Sequence, residues 1–174
     1  MNTPVAPTTY NVLVGWNEAL GAPAEEDDGP NPYEAVGATE GDRCAIRVLI
    51  VDDVAAIRDG LRDVLTECGF SVVGCAANGA AGVRQAEELL PSVVMMDSRM
   101  PIMDGIEATK LIRGALPNVQ VVVVSAYDDR TLRLAARTAG AHSYVLKGAA
   151  IECIERAILA AASAPKWIPL SVCA

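Results

Sequence analysis

The chain has 174 residues, 52% apolar and 21% charged, which is enough for one buried core plus an appendage and too apolar for disorder throughout. One Phe, two Trp and four Tyr are too few for a surface that stacks bases, and a formal charge of −8 is the wrong sign for a binder of phosphate backbones. No stretch approaches the ~18 consecutive apolar residues of a membrane span and no basic-then-apolar leader opens the chain, so the expected setting is the cytoplasm.

Residues 1–45 hold eight acids against one base, Arg43, whereas residues 46–174 hold fourteen acids and thirteen bases. The acidity therefore belongs to the front. With its Pro and Gly residues and the run Glu25-Glu26-Asp27-Asp28, this segment reads as a disordered extension. Tyr10–Leu20 (YNVLVGWNEAL) is its one apolar island, able to dock on the domain or a partner or to do nothing. The five cysteines, Cys44, Cys68, Cys75, Cys153 and Cys173, form no C-x-x-C pair and fit reduced thiols better than a disulfide framework or zinc site.

From Ile46 short apolar runs alternate with segments of helical period. Ile46–Val51, Val72–Cys75, Val93–Met96, Val121–Val124 and Ser143–Leu146 are each short enough for a strand buried on both faces. After the first run, Val54, Ile57, Leu61, Val64, Leu65 and Cys68 recur at helical steps and stop at Gly69. Ala80–Leu90, Gly105–Leu116, Asp128–Ala139 and Ala149–Ala162 supply four more helices, with Pro91 and Pro117 closing two. Five alternations predict an α/β fold, a doubly wound parallel sheet with helices on both faces, over residues 46–163; residues 164–174 are a short tail or the start of a linker.

In such sheets ligands bind at the carboxyl ends of the strands, where the strand order reverses. Asp52 and Asp53 directly follow the first run and Asp97 the third; with strand order 2-1-3-4-5 they converge. Clustered carboxylates call for a cation, and few hard oxygen ligands with room for water suit Mg²⁺. Either member of the Asp pair could instead be the N-cap of the next helix. The fourth run ends in Ser125 and the fifth in Lys147, which adds a hydroxyl and an ammonium at the same edge. Carboxylates, metal, hydroxyl and lysine are the parts needed to hold and neutralise a transferring phosphoryl group.

Ile46–Asp53 (IRVLIVDD), Asp97–Gly105 (DSRMPIMDG), Val121–Ala126 (VVVVSA) and Gly140–Lys147 (GAHSYVLK) together resemble the receiver domain of two-component response regulators, over Ile46 to Ser163. The resemblance implies a flavodoxin-like fold of five strands and five helices, with Asp97 as phosphoacceptor from a sensor histidine kinase. It implies that Asp53 and Asp97 hold Mg²⁺ directly, Asp52 mainly through water, and Arg99 through its backbone carbonyl. Lys147 would pair with phosphoryl oxygens, Ser125 would move to hydrogen-bond the phosphoryl group, and Tyr144, at the aromatic switch position, would turn inward. The side chains of Arg99 and Tyr127 occupy positions that gate water and tune phosphoryl lifetime. Pro101 and Gly105 would shape the loop after Asp97, and Asp104 would cap the next helix. His142 is read as a loop residue away from the acids.

Two features depart from the pattern. Gly148 follows the lysine where many members carry proline, often after a cis peptide. Only about ten residues follow the last helix, and Ala164–Leu170 (APKWIPL) looks like the start of the linker found in helix-turn-helix regulators. The expected function is phosphorylation-controlled signalling, in which the face around Ser125 and Tyr144 engages a protein effector or a second copy. The alternatives are the front part of a DNA-binding regulator without its output, and an interaction module independent of phosphorylation. A haloacid-dehalogenase-type phosphatase would need an acid where Arg99 stands, so an enzyme is not expected. The near-neutral charge of residues 46–174 argues against direct DNA binding by this chain.

Overall fold

The computed structural model describes residues 43–165. The expected acidic extension, but for Arg43, Cys44 and Ala45, lies outside the described residues, as does the tail from residue 166. Arg43 is joined to the domain: its guanidinium donates to the Cys68 carbonyl, pairs with Glu155 at 3.1 Å and lies over the Phe70 ring.

Strands β1 (Arg47–Val51), β2 (Ser71–Ala76), β3 (Val93–Asp97), β4 (Gln120–Ser125) and β5 (Ser143–Leu146) alternate with helices α1 (Ala55–Glu67), α2 (Gly79–Leu89), α3 (Gly105–Ala115), α4 (Arg130–Thr138) and α5 (Ile151–Ala162). All strand pairs are parallel, in the order β2-β1-β3-β4-β5. Continuous apolar runs suit this sheet because helices cover both faces. Alternate residues accordingly feed two cores. Val48, Ile50, Val93, Met95, Val122 and Val124 pack with Leu65 and Ile158 on one face; Leu49, Val51, Val94, Met96, Val121 and Val123 pack with Ala86, Ala108, Ile112 and Ala136 on the other. The β1–β2 register slips between Val48 and Leu49, so Val73 is skipped and Gly74 faces Leu49.

The ends of the elements follow local chemistry. Gly69 (φ 89°) ends α1 in the left-handed region. Asp104 caps α3 by accepting from Ile106 N–H and Glu107 N–H, and Asp129 caps α4 through Thr131 N–H. The N-cap of α1 is Val54, without a side-chain cap, so neither Asp52 nor Asp53 is spent on capping. Asp52 instead accepts from Val54 N–H at 2.9 Å, closing a tight turn at the end of β1. Among the described residues no peptide bond is cis and no helix is long and apolar enough to cross a membrane.

Candidate functional site

Because β1 and β3 are neighbours, the residues that end them meet. Asp52 and Asp53 leave β1, Asp97 closes β3, and one carboxylate oxygen from each lies within 4.8 Å of the others. Asp52 and Asp97 are buried, at 2% and 6% exposure, and Asp53 faces solvent. Lys147 arrives from the end of β5, held by the bond from its N–H to the Ser125 carbonyl. Its ammonium bridges the two buried acids, 2.7 Å from Asp52 Oδ2 and 2.8 Å from Asp97 Oδ2. Three carboxylates and one ammonium leave two formal negative charges among these four side chains, which a divalent cation balances with oxygen donors. The set thus fits a hard metal ion.

The electrostatics follow from burial. Loss of water raises the Asp97 carboxyl above its ordinary range, against the opposing pull of Lys147 and the Arg99 N–H. Burial alone would lower Lys147, but its hydrogen bonds to Asp52 and Asp97 outweigh that and raise it, so the ammonium stays charged. The Asp97 carboxylate is therefore a desolvated oxygen donor held against a cation.

The loop after Asp97 is shaped around its carboxylate. Arg99 N–H points to Asp97 Oδ1 at 3.3 Å, placing the Arg99 backbone beside that carboxylate. A Cβ on Gly105 would lie 1.8 Å from the Asp97 carbonyl oxygen, so only glycine allows α3 to start there. The Arg99 guanidinium lies over the Tyr127 ring, bringing together the two side chains expected to gate water.

Ser125, which ends β4, is fully buried. Its Oγ accepts from Ser98 Oγ at 2.9 Å and from Tyr127 N–H at 3.1 Å. Tyr144, at the expected switch position, lies inward in this structure. It is 5% exposed, packed in the second core, with its hydroxyl donating to the Tyr127 carbonyl at 2.7 Å. Burial pushes its phenol up, with Ser125 and Arg133 pulling the other way. His142 lies between α4 and β5, away from the acids, as expected; burial and then Arg113 hold it below its ordinary value.

Two further residues contribute to the site. Ser98 is a hydroxyl directly after an apolar strand and its acid, a signal that was there to read. Arg58, whose guanidinium donates to the Asp52 carbonyl, sits at an unremarkable helix position and gave none.

A family described as the response regulator receiver domain matches residues 48–159. The chemotaxis protein CheY of Thermotoga maritima is 43% identical over 101 residues, 58% of this chain and 84% of that protein. Transcriptional regulatory protein LnrK of Bacillus subtilis is 35% identical over 125 residues, 71% of this chain but only 57% of that longer protein. Among solved structures, the signal receiver domain of response regulator NarL from Mycobacterium tuberculosis superposes with a TM-score of 0.66 at 32% identity, over 69% of this chain and 98% of that one.

Proposed function

The chain belongs to the response regulator receiver domain family, and from that premise we propose that it is a phosphorylation-controlled signalling protein whose Asp97 takes a phosphoryl group from a phosphohistidine of a sensor kinase. The observation that carries the proposal is Lys147 Nζ held between Asp52 and Asp97, with Asp53 alongside. In the reaction an Asp97 carboxylate oxygen attacks phosphorus. The new O–P bond forms as the P–N bond to the donor imidazole breaks, and the imidazole leaves with the electron pair. Water later cleaves the acyl phosphate, freeing inorganic phosphate and restoring the carboxylate. Lys147 neutralises phosphoryl oxygens throughout. Asp53, Asp97 and the Arg99 carbonyl would hold Mg²⁺, with Asp52 behind a water; the ion supplies charge neutralisation at the phosphoryl oxygens.

Ser125 then turns to the phosphoryl group and alters the surface around β4 and β5, where a protein effector or second copy docks. We place this in the cytoplasm, with no direct DNA contact by these residues, and with turnover limited to the protein's own phosphoryl group. The likeness to CheY favours a receiver that acts on a separate partner; the likeness to LnrK favours the alternative of a receiver at the front of a regulator. Incubation with acetyl phosphate and Mg²⁺ tests the core of the reading. Intact mass should rise by about 80 Da, the mass of one phosphoryl group, in wild type and not in Asp97→Asn. An equal rise in both, or none in either, refutes it. Turnover of p-nitrophenyl phosphate far beyond one equivalent would point to a phosphatase instead.

A further inference from the structure

Ser98 sits directly after the acceptor, 2% exposed, with its backbone pinned on both sides: its N–H donates to the Val124 carbonyl at 3.1 Å and its carbonyl accepts from Gly105 N–H at 3.2 Å. Its hydroxyl thus has a fixed origin, and its partner is the Ser125 hydroxyl, 2.9 Å away and 0% exposed. Ser125 Oγ holds one other donor, Tyr127 N–H, on a residue half exposed to solvent.

The two donors differ in what they lose if Ser125 rotates away. The Tyr127 bond is only partly buried, whereas the Ser98 bond is buried. Ser98 is buried, so its hydroxyl would be left without a partner, and an unsatisfied buried hydroxyl is the costly case. A bond present in only one of two states shifts the equilibrium toward that state by its full differential free energy. We propose that Ser98 is a positioning residue that latches the Ser125 hydroxyl in its present site and opposes its turn toward a phosphoryl group on Asp97. This rests on the receiver reading above. Removal of the Ser98 hydroxyl removes both the bond and the later penalty, and so favours the turned arrangement.

The test uses the full chain and beryllium trifluoride with Mg²⁺ as a phosphoryl mimic on Asp97, titrated by isothermal calorimetry. Ser98→Ala is expected to bind the mimic about fivefold more tightly than wild type, the factor that corresponds to one ordinary buried hydrogen bond. Ser98→Cys, with a thiol that donates weakly, should shift affinity in the same direction. In a Ser125→Ala background the Ser98→Ala gain should vanish, an outcome that a merely structural role for Ser98 does not produce. Unchanged or weaker affinity in Ser98→Ala, or the same gain with and without Ser125, overturns the latch while leaving the receiver reading intact. Failure of the wild-type chain to bind the mimic overturns that reading and the latch with it.

Discussion

The guanidinium of Arg99 lies 4.5 Å from the centroid of the Tyr127 ring, so the side chains two positions after Asp97 and two after Ser125 cover one another. Both stand at positions where the family resemblance implies control of water access, and their contact predicts that they act together. A cation over an exposed ring is worth roughly 0.5–1 kcal/mol, about a two- to fivefold bias toward the closed arrangement. Tyr127→Ala and Arg99→Ala should each shorten the acyl phosphate half-life by about that factor, followed as decay of the phosphorylated mass. The double variant should lose no more than either single one. Additive losses would show that the two act independently.

Lys147→Met leaves Asp52 and Asp97 buried and facing each other without their cation. Loss of one partner from a buried pair costs about 3–5 kcal/mol, and the lower end applies here because the Lys147 side chain is 18% exposed. The deficit should shrink as pH falls from 7 to 5. Burial has raised the Asp97 carboxyl, so the folded state takes up that proton before the unfolded chain does, and stability from this group grows as pH drops through its folded value. For the same reason Asp97→Asn should raise the urea midpoint at pH 7, and Mg²⁺ should stabilise wild type more than this variant. Urea titrations at both pH values check these signs.

Asp104 and Gly105 are adjacent, and their substitutions should differ sharply. Asp104→Ala removes a cap that accepts two N–H groups and should cost about 1 kcal/mol. Gly105→Ala drives a Cβ into the Asp97 carbonyl, so the backbone of Asp97 must move; a loss of roughly 3 kcal/mol or more is expected, together with loss of phosphorylation. Thermal melts paired with the acetyl phosphate assay separate the two. Similar, small losses would contradict the close approach.

His142 is the sole histidine, held below its ordinary value by burial and by Arg113. Its folded form prefers to be neutral, so the stability it contributes is complete above about pH 6.5, the unfolded value, and is lost as pH falls through the lower folded value. His142→Asn should flatten the stability profile below pH 6.5. An unchanged slope in the variant would assign the acid sensitivity to other groups.

The elements and the acids are legible in the sequence for one physical reason, and other features are hidden there for another. Parallel strands buried on both faces must be apolar throughout, so Val121–Val124 announces itself, and a charge directly after such a run, as at Asp52, Asp97 and Lys147, is placed by the strand that precedes it. Orientation and pairing carry no such mark. The slip past Val73 depends on how β2 meets β1, not on composition. The inward Tyr144 depends on the Tyr127 carbonyl, seventeen positions away, being positioned to accept its hydroxyl. The hydroxyl pair of Ser98 and Ser125 depends on β3 and β4 lying side by side.

Lys147 stands 50 positions from Asp97, and it is carried by β5, a four-residue strand at one edge of the described sheet, which among the described residues pairs with β4 alone. Detachment of that short edge, with β1, β3 and β4 still paired, takes the ammonium from two buried acids without unfolding the domain. Slow amide exchange along β5 is therefore a direct measure of how completely the charge constellation is assembled, and any docking that shields this edge also holds the lysine in place.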